Sequence, residues 1–392
     1  MPVLAEVTKE VTSSGELKGR RVAACLHLEA KTACLLLALS QAGAEVWAAA
    51  SNPLSTQDDV VDALIKLGVK VSGRRGESLD EYSRDIDALI TCHPDLVIDD
   101  GGDLIMRFHE RGGQGLSVLG ACEETTTGIT RIRALDRRAG LLFPVIAVND
   151  ARSKRLFDNR YGTGQSALDG ILRTTNLLIA GKNVVVLGYG WCGKGVAVRA
   201  RGLGACVIVC EVDPVKANEA LMEGFRVMPA LEASEVGDVF ITVTGCRDVL
   251  TARHFSLMKD GALLCNAGHF DVEIRVDELS EMAAERITVR DGIEMFRMRD
   301  GRRLYLLGQG RLVNLACADG HPVEIMDMSF SLQLMSIWYL AGHHLELPKR
   351  LIPVPEDIDT KVAAARLAAL GVKIDTLTNE QRQYLGGPDG ND

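Results

Sequence analysis

Six short segments put acids, bases and imidazoles where an apolar core has no use for them. They are His27 with Glu29 and Lys31, the run Asp99 to Asp103, Glu123-Glu124-Thr125-Thr126-Thr127, Lys154 with Asp158 and Asn159, His269, and Asn314 with His321. Groups of these types move protons to and from a reacting centre. Each segment also has a plainer reading: His27 could be a satisfied core histidine, the acids after Ile98 and the Glu-Glu-Thr-Thr-Thr run could cap helices, and Lys154 could be a surface lysine. Their joint presence beside a dinucleotide loop is what points to chemistry.

That loop is Gly188-Tyr189-Gly190-Trp191-Cys192-Gly193-Lys194-Gly195, which follows an apolar run at 183–187. The bare pattern is weak in a chain with 39 glycines in 392 residues. Its context is stronger, because it lies between a predicted strand and a predicted helix, and Glu211 closes the next predicted strand 18 residues after Gly193. In this arrangement Gly188 makes the tight turn, Gly190 lets the backbone approach a pyrophosphate, and Gly193 lets the helix pack close to the sheet. Glu211 would accept from ribose hydroxyls and repel a 2′-phosphate, which favours NAD over NADP. Lys216 argues mildly the other way, or is a solvated loop lysine.

Such residues need a frame to hold them. The first 150 residues alternate short apolar runs with amphipathic ones: strands are predicted at 21–26, 44–50, 69–72 and 96–98, helices at 31–42 and 57–67. This βαβ alternation implies a parallel sheet with ligands gathered at the carboxyl ends of its strands, where the loops 51–57 and 99–103 fall. A second unit opens near Asp169 with a helix ending at Gly181. It continues through strands at 183–187, 206–210, 239–243 and 262–265 to about residue 318. A helix at 322–344 is long enough to return to the first unit, and the polar stretch after it holds one more, at 361–370. The expected class is α/β: two doubly wound parallel-sheet domains, the second a Rossmann unit inserted into the first. The expected boundaries are 1–164 with 320–360 for substrate, 165–319 for NAD, and 361–392 as a C-terminal segment.

Composition narrows the function class. With 47% hydrophobic and 25% charged residues the chain should fold throughout. The 44 basic and 53 acidic residues give a net charge of −9, without a basic stripe, so nucleic acid is not the expected partner. Apolar runs are shorter than a membrane span, and the ten cysteines sit mostly singly in apolar runs with no CxxC pair, which suggests reduced thiols, no metal site and a cytoplasmic setting.

From about residue 19 to 386 the sequence resembles the S-adenosylhomocysteine hydrolases. The resemblance is carried by Asn52-Pro53-Leu54-Ser55-Thr56-Gln57-Asp58, Asp99 to Leu104, Glu123 to Gly128, Val148-Asn149-Asp150, Phe157-Asp158-Asn159, the glycine loop, Gly268-His269-Phe270-Asp271, Gly310 to Leu315 and Gly320-His321-Pro322. It implies a homotetramer with one tightly held NAD per subunit, acting on a purine nucleosyl homocysteine. Oxidising the 3′-hydroxyl makes the C4′ proton acidic, so the thiol can leave C5′ by elimination; water then adds and the hydride returns. By the same resemblance Lys154 takes the 3′-hydroxyl proton, with a pKa lowered by burial or cationic neighbours, and Asp158 holds Lys154 and the ribose. Asp100 removes the C4′ proton, His27 and His269 serve the sulfur and the water, and Glu124 grips the ribose hydroxyls. Glu29, Lys31 and His321 complete the substrate contacts. Thr125, Thr126, Thr127, Asn159, Asn314 and His321 line the nicotinamide and its ribose, and Trp191, Cys192, Ala267, Gly268 and His269 also fall on the cofactor side.

Three features depart from the family pattern. Thr163 stands where a cysteine is usual, so any redox role of that cysteine is absent. A terminal Lys and Tyr that reach a neighbouring subunit's NAD are missing after Tyr384-Leu385-Gly386, which implies weaker or differently arranged cofactor retention. His27-Leu28-Glu29-Ala30-Lys31-Thr32 replaces the usual residues facing the purine, as in a shorter archaeal and thermophilic branch. Adenine is the default purine and hypoxanthine the alternative. An ordinary NAD dehydrogenase and a silent NAD-binding homologue are the competing classes; the former has no use for Asp99 to Asp103 with Lys154 and Asp158.

Overall fold

The computed structural model describes residues 1–112 and 118–386; the last six residues of the expected C-terminal segment lie outside the described residues. Two sheets organise the chain. The first has seven parallel strands in the order Leu351–Pro353, Val145–Ala147, Gly120–Glu123, Leu96–Asp99, Arg21–Leu26, Glu45–Ala50, Lys70–Ser72. Its central strands are apolar on both faces, as a parallel sheet covered by helices on each side requires. The helix Val323–His343 returns to this sheet after the second one is complete, buries Phe330, Leu332, Leu334 and Ile337 in its core, and packs against the helix Pro2–Ser14.

The second sheet has eight strands in the order Ala283–Arg290, Ile293–Met298, Arg303–Leu307, Leu263–Asn266, Val239–Thr242, Asn183–Leu187, Cys206–Cys210, Arg226–Val227. Six are parallel neighbours, but the first three are joined by antiparallel pairings. The sequence reading extended the doubly wound pattern through this edge and missed the hairpin, because the strand 283–290 is mostly exposed and polar and carries no buried-strand signal. It also missed Leu351–Pro353, a three-residue strand, and the helix Pro2–Ser14, although a proline in its first turn and left-handed Gly15 after it are ordinary helix bounds. The helix expected to reach Gly181 is Thr163–Thr175, stopped by Asn176 in the left-handed conformation. The last long helix starts at Glu356, earlier than expected, with Glu356, Asp357 and Asp359 in its first turn. All ten cysteines are free thiols. Among the described residues no helix is long and apolar enough to cross a membrane.

Candidate active site

The two central strands of the first sheet end in register, Asp99 opposite Glu123, so the next residues, Asp100 and Glu124, emerge side by side at the carboxyl edge. The neighbouring strand Arg21–Leu26 ends just before His27. His27 Nδ1 lies 2.6 Å from Ser55 Oγ, and that hydroxyl donates to Asn52 O. The ring's other nitrogen, Nε2, faces Asp100 Oδ2 at 3.6 Å. From the other sheet His269 brings Nδ1 to 3.7 Å from Asp100 Oδ1. Burial holds both imidazoles below their usual range, His27 down to about 4 against the pull of Asp100, so both are neutral bases near pH 7. The two histidines and Asp100 present three donor atoms within 4.8 Å of one another, a set that suits a proton relay and could also ligate an ion. Gly101, at φ +114°, has no room for a Cβ, which would collide with His269 Nε2.

Lys154 begins a π-type helical stretch, Lys154–Gly162, that turns Lys154, Asp158 and Asn159 into the interior. Its ammonium donates to Asp158 Oδ1 at 2.9 Å and Asn159 Oδ1 at 3.0 Å, with Glu124 Oε1 at 3.6 Å. Asp158 also receives Ser329 Oγ at 2.6 Å and faces His321 Nδ1 at 3.1 Å. The expectation that burial or cations lower the Lys154 pKa is corrected here. Burial does pull it down, but Asp158 and Glu124 outweigh burial and raise it, so Lys154 is firmly charged in the unliganded protein. The partners diverge: burial pushes Glu124 up to about 8 despite Lys154, whereas for Asp158 the attraction of Lys154 and His321 overcomes burial and holds it well below the carboxylate range.

These groups share one cavity. His27, Glu29, Lys31, Asp100, Glu124, Thr125, Lys154, Asp158, His269, Asn314 and His321 line it; Leu312 and Leu315, from the segment Gly310 to Leu315, and Met326 and Phe330, to which the sequence reading gave no role, form its apolar walls. Asp100 Oδ1, Glu124 Oε2 and Asn314 Oδ1 are buried without a hydrogen-bond partner among the described residues, as groups that take a polar ligand would be. Glu29 is the N-cap of the helix Ala30–Gln41: its Oε1 accepts from Thr32 N and Oγ1, its Oε2 from Lys31 N and Nζ. Lys31 Nζ also donates to Asp319 O at 2.7 Å.

On the second sheet the glycine loop has the geometry its spacing predicts. Gly188 sits at φ +107°, and a Cβ on Gly193 would collide with Gly188 O. A Cβ on Gly190 would meet nothing within 4 Å, so this face of the loop is an open cradle of a kind that a pyrophosphate fits. Glu211 accepts from Tyr189 N, Val212 N and Asp213 N at 2.7, 2.7 and 3.0 Å, which holds it against the loop. Lys216 pairs weakly with Asp213 at 3.7 Å and is half-exposed. Trp191 stacks under Lys194, and Cys192 Sγ lies 3.5 Å from Thr163 Oγ1, which in turn is 3.2 Å from His321 Nε2. Thr125 caps its helix, Thr126 Oγ1 donates to Asn149 Oδ1 at 3.4 Å, and Thr127 Oγ1 lies near Gly245 of the second unit. Ala267 is core, and Gly268 packs so tightly on Glu273 that a Cβ would collide with it. Glu273, missed in the sequence, accepts from Thr244 N, Thr244 Oγ1 and Gly245 N and fixes that loop; as an isolated acid it gave no signal.

Residues 1–116 match the family model for S-adenosyl-L-homocysteine hydrolase, and residues 159–320 match the model for its NAD-binding domain. The chain belongs to the S-adenosyl-L-homocysteine hydrolase family. It is thus an enzyme, and the cofactor of its second unit is NAD. Its relatives in this hydrolase family include adenosylhomocysteinases of Thermococcus kodakarensis (56% identical over 98% of this chain and 92% of the relative) and Aquifex aeolicus (54%, 98% and 93%). A protein of Methanopyrus kandleri named S-inosyl-L-homocysteine hydrolase is 53% identical over 98% of this chain and 91% of its own length.

Proposed function

We propose that the chain catalyses the reversible hydrolysis of S-adenosyl-L-homocysteine to adenosine and L-homocysteine. The observation that carries this reading is the meeting, across one cavity, of the Lys154–Asp158–Glu124 cluster with the His27–Asp100–His269 cluster beside the dinucleotide loop. Bound NAD supplies the acceptor for the 3′ hydride and later returns it. Lys154, held by Asp158 and Asn159, takes the 3′-hydroxyl proton, which requires the ribose to replace part of its carboxylate pairing, since that pairing keeps it charged. Glu124 accepts from the ribose hydroxyls through its unpartnered Oε2. Asp100 takes the C4′ proton, and the neutral imidazoles of His27 and His269 pass protons to the leaving sulfur and from the incoming water. Gly188, Gly190 and Gly193 would hold the cofactor's pyrophosphate and Glu211 its adenosine ribose, and Thr125, Thr126, Thr127, Asn159, Asn314 and His321 would hold the nicotinamide half. Residues 1–164 with 320–360 form the substrate unit and 165–319 the cofactor unit. The working form is a cytoplasmic homotetramer, on the strength of the family resemblance. The test is to measure NAD co-purifying with the protein and then thiol release from substrate with no cofactor added; the absence of thiol release, or release that consumes added NAD stoichiometrically, overturns the reading.

A second reading, the same chemistry on S-inosyl-L-homocysteine, is favoured by the geometry of Glu29. Adenine offers an N6 donor and an N1 acceptor, hypoxanthine an O6 acceptor and an N1–H donor. Both Glu29 oxygens already take two donors each, while Lys31 Nζ, which donates to Glu29 Oε2 and Asp319 O, keeps a third N–H that suits an O6 acceptor at this edge. A mismatched buried polar pair costs ~1–3 kcal/mol, or roughly ten- to a hundredfold in kcat/KM. Comparing the two thioethers in one assay decides, and an adenosyl preference that survives Lys31→Ala ends the inosyl reading.

A further inference from the structure

Beneath the cavity lie two carboxyls that the proposed chemistry does not use, Asp99 and Glu123, both fully buried at the ends of adjacent strands. Asp99 Oδ1 accepts from Asp100 N at 3.0 Å and its Oδ2 from Ile105 N at 2.7 Å. Glu123 Oε1 accepts three donors: Gly101 N at 2.9 Å, Thr125 N at 2.9 Å and Thr125 Oγ1 at 2.7 Å. Its other oxygen has no partner among the described residues. Asp100 is thereby clamped on both flanks, by Asp99 on its own amide and by Glu123 on the next. The amide after Glu124 hangs on the same Glu123 oxygen as the amide after Asp100.

We propose that Glu123 is a positioning residue for the reaction: one carboxyl oxygen ties the peptide following Asp100 to the peptide following Glu124, and so fixes the distance between the C4′ base and the ribose grip. Two features support a role finer than packing. Gly128 has no room for a side chain because the Glu123 carboxyl fills that space, so the carboxyl is confined where it can reach both loops. Gly101, the residue it holds, is the one against which His269 packs, so a shift there moves Asp100 and His269 together. Burial, then the adjacent Asp99 and Asp100, drive the Glu123 pKa up against the pull of the Gly101 and Thr125 amides, which favours the neutral acid.

This inference rests on Asp100 and Glu124 acting as proposed above, so thiol release by the unaltered holoenzyme is measured in parallel to test that reading by itself. Glu123→Gln keeps the Oε1 acceptor and the neutral state, whereas Glu123→Asp keeps an ionisable acid but withdraws the acceptor by one methylene. Positioning predicts that the Gln variant stays within about threefold of the parent in kcat with an unchanged pH profile. The Asp and Ala variants should lose about ten- to a hundredfold in kcat, with KM and bound NAD little changed, since small misplacements of reacting groups have effects of that size. Retained activity in Asp with loss in Gln and a displaced pH profile would overturn the proposal, as would thermal destabilisation of all variants with kcat per folded, NAD-loaded subunit unaltered. If the Ala variant does not fold, the Gln and Asp pair still decides.

Discussion

The two sheets end in ligand-facing edges built on opposite principles. At the edge of the first, five buried ionisable side chains from three segments (Asp99, Glu123, Glu124, Lys154, Asp158) have their protonation shifted by burial and by neighbouring charges. At the edge of the second, the work falls to backbone shape: left-handed Gly188, open-faced Gly190, close-packed Gly193, and the carboxylates Glu211 and Glu273 pinned by amide donors. An edge that must hold a cofactor through many turnovers gains from a rigid cradle shaped by its backbone. An edge that must take up and release protons needs groups whose charge responds to the ligand. The difference teaches that rigidity and titration are assigned to separate halves of one cleft.

The sharpest way to break this comparison is Lys154→Ala. Removing the base should leave the glycine cradle and bound NAD intact while slowing the first hydride transfer by roughly 10²–10⁴-fold, read as NADH absorbance after mixing with substrate. A variant that reduces its bound NAD at the parent rate would show that proton chemistry does not reside at the first edge. Next in size is a pair of glycine variants. Gly101→Ala strains a residue at φ +114° and drives a methyl into His269, so it should retain NAD but lose about a hundredfold in kcat. Gly190→Ala adds a methyl to open space at φ −72°, so the fold should persist while NAD content falls about tenfold or more. Equal effects of both on NAD content would erase the distinction between the edges.

The same contrast explains what was legible in the sequence. Backbone geometry leaves its mark on glycine spacing, so the strand Asn183–Leu187, the loop and Glu211 were readable from pattern alone. The six segments of polar residues were also visible, but their coupling was not. That Lys154 is raised by its acids and not lowered by burial depends on Glu124, 30 residues away, and on a π-type turn that no periodicity announces. Asp99 and Glu123 were read only as neighbours of catalytic groups, since nothing in a local run says which of two adjacent acids faces inward. The antiparallel hairpin 283–298 escaped because exposed edge strands lack an apolar signature.

Glu211→Ala should have a smaller effect, on the cradle's selectivity. Three amides lose their acceptor and a 2′-phosphate loses its repulsion, so NAD affinity should fall about tenfold while the preference over NADP narrows by a similar factor. Titrating both cofactors into stripped protein measures this, and unchanged selectivity would remove Glu211 from the ribose site.

The smallest expected signal separates the edges by pH. Burial, with Asp103 and Asp100 nearby and against the help of two amide donors, raises Asp99 to about 7 from an ordinary value of 3.8. The folded protein therefore binds a proton that the unfolded chain releases between about pH 4 and 7, so this contribution to stability is full below pH 4 and is lost as pH rises through 7. His27 acts in the opposite sense: held at about 4 against 6.5, it erodes stability as pH falls through that window. Absolute stability mixes the two. The difference between the parent and Asp99→Asn cancels the His27 part, because both proteins share it. That difference, read as a shift in urea midpoint on the order of 0.3 M, should favour the parent more at pH 5 than at pH 8. A pH-independent gap for Asp99→Asn would mean that Asp99 is ionised in the folded protein throughout. Glu123 would then have to carry its proton alone.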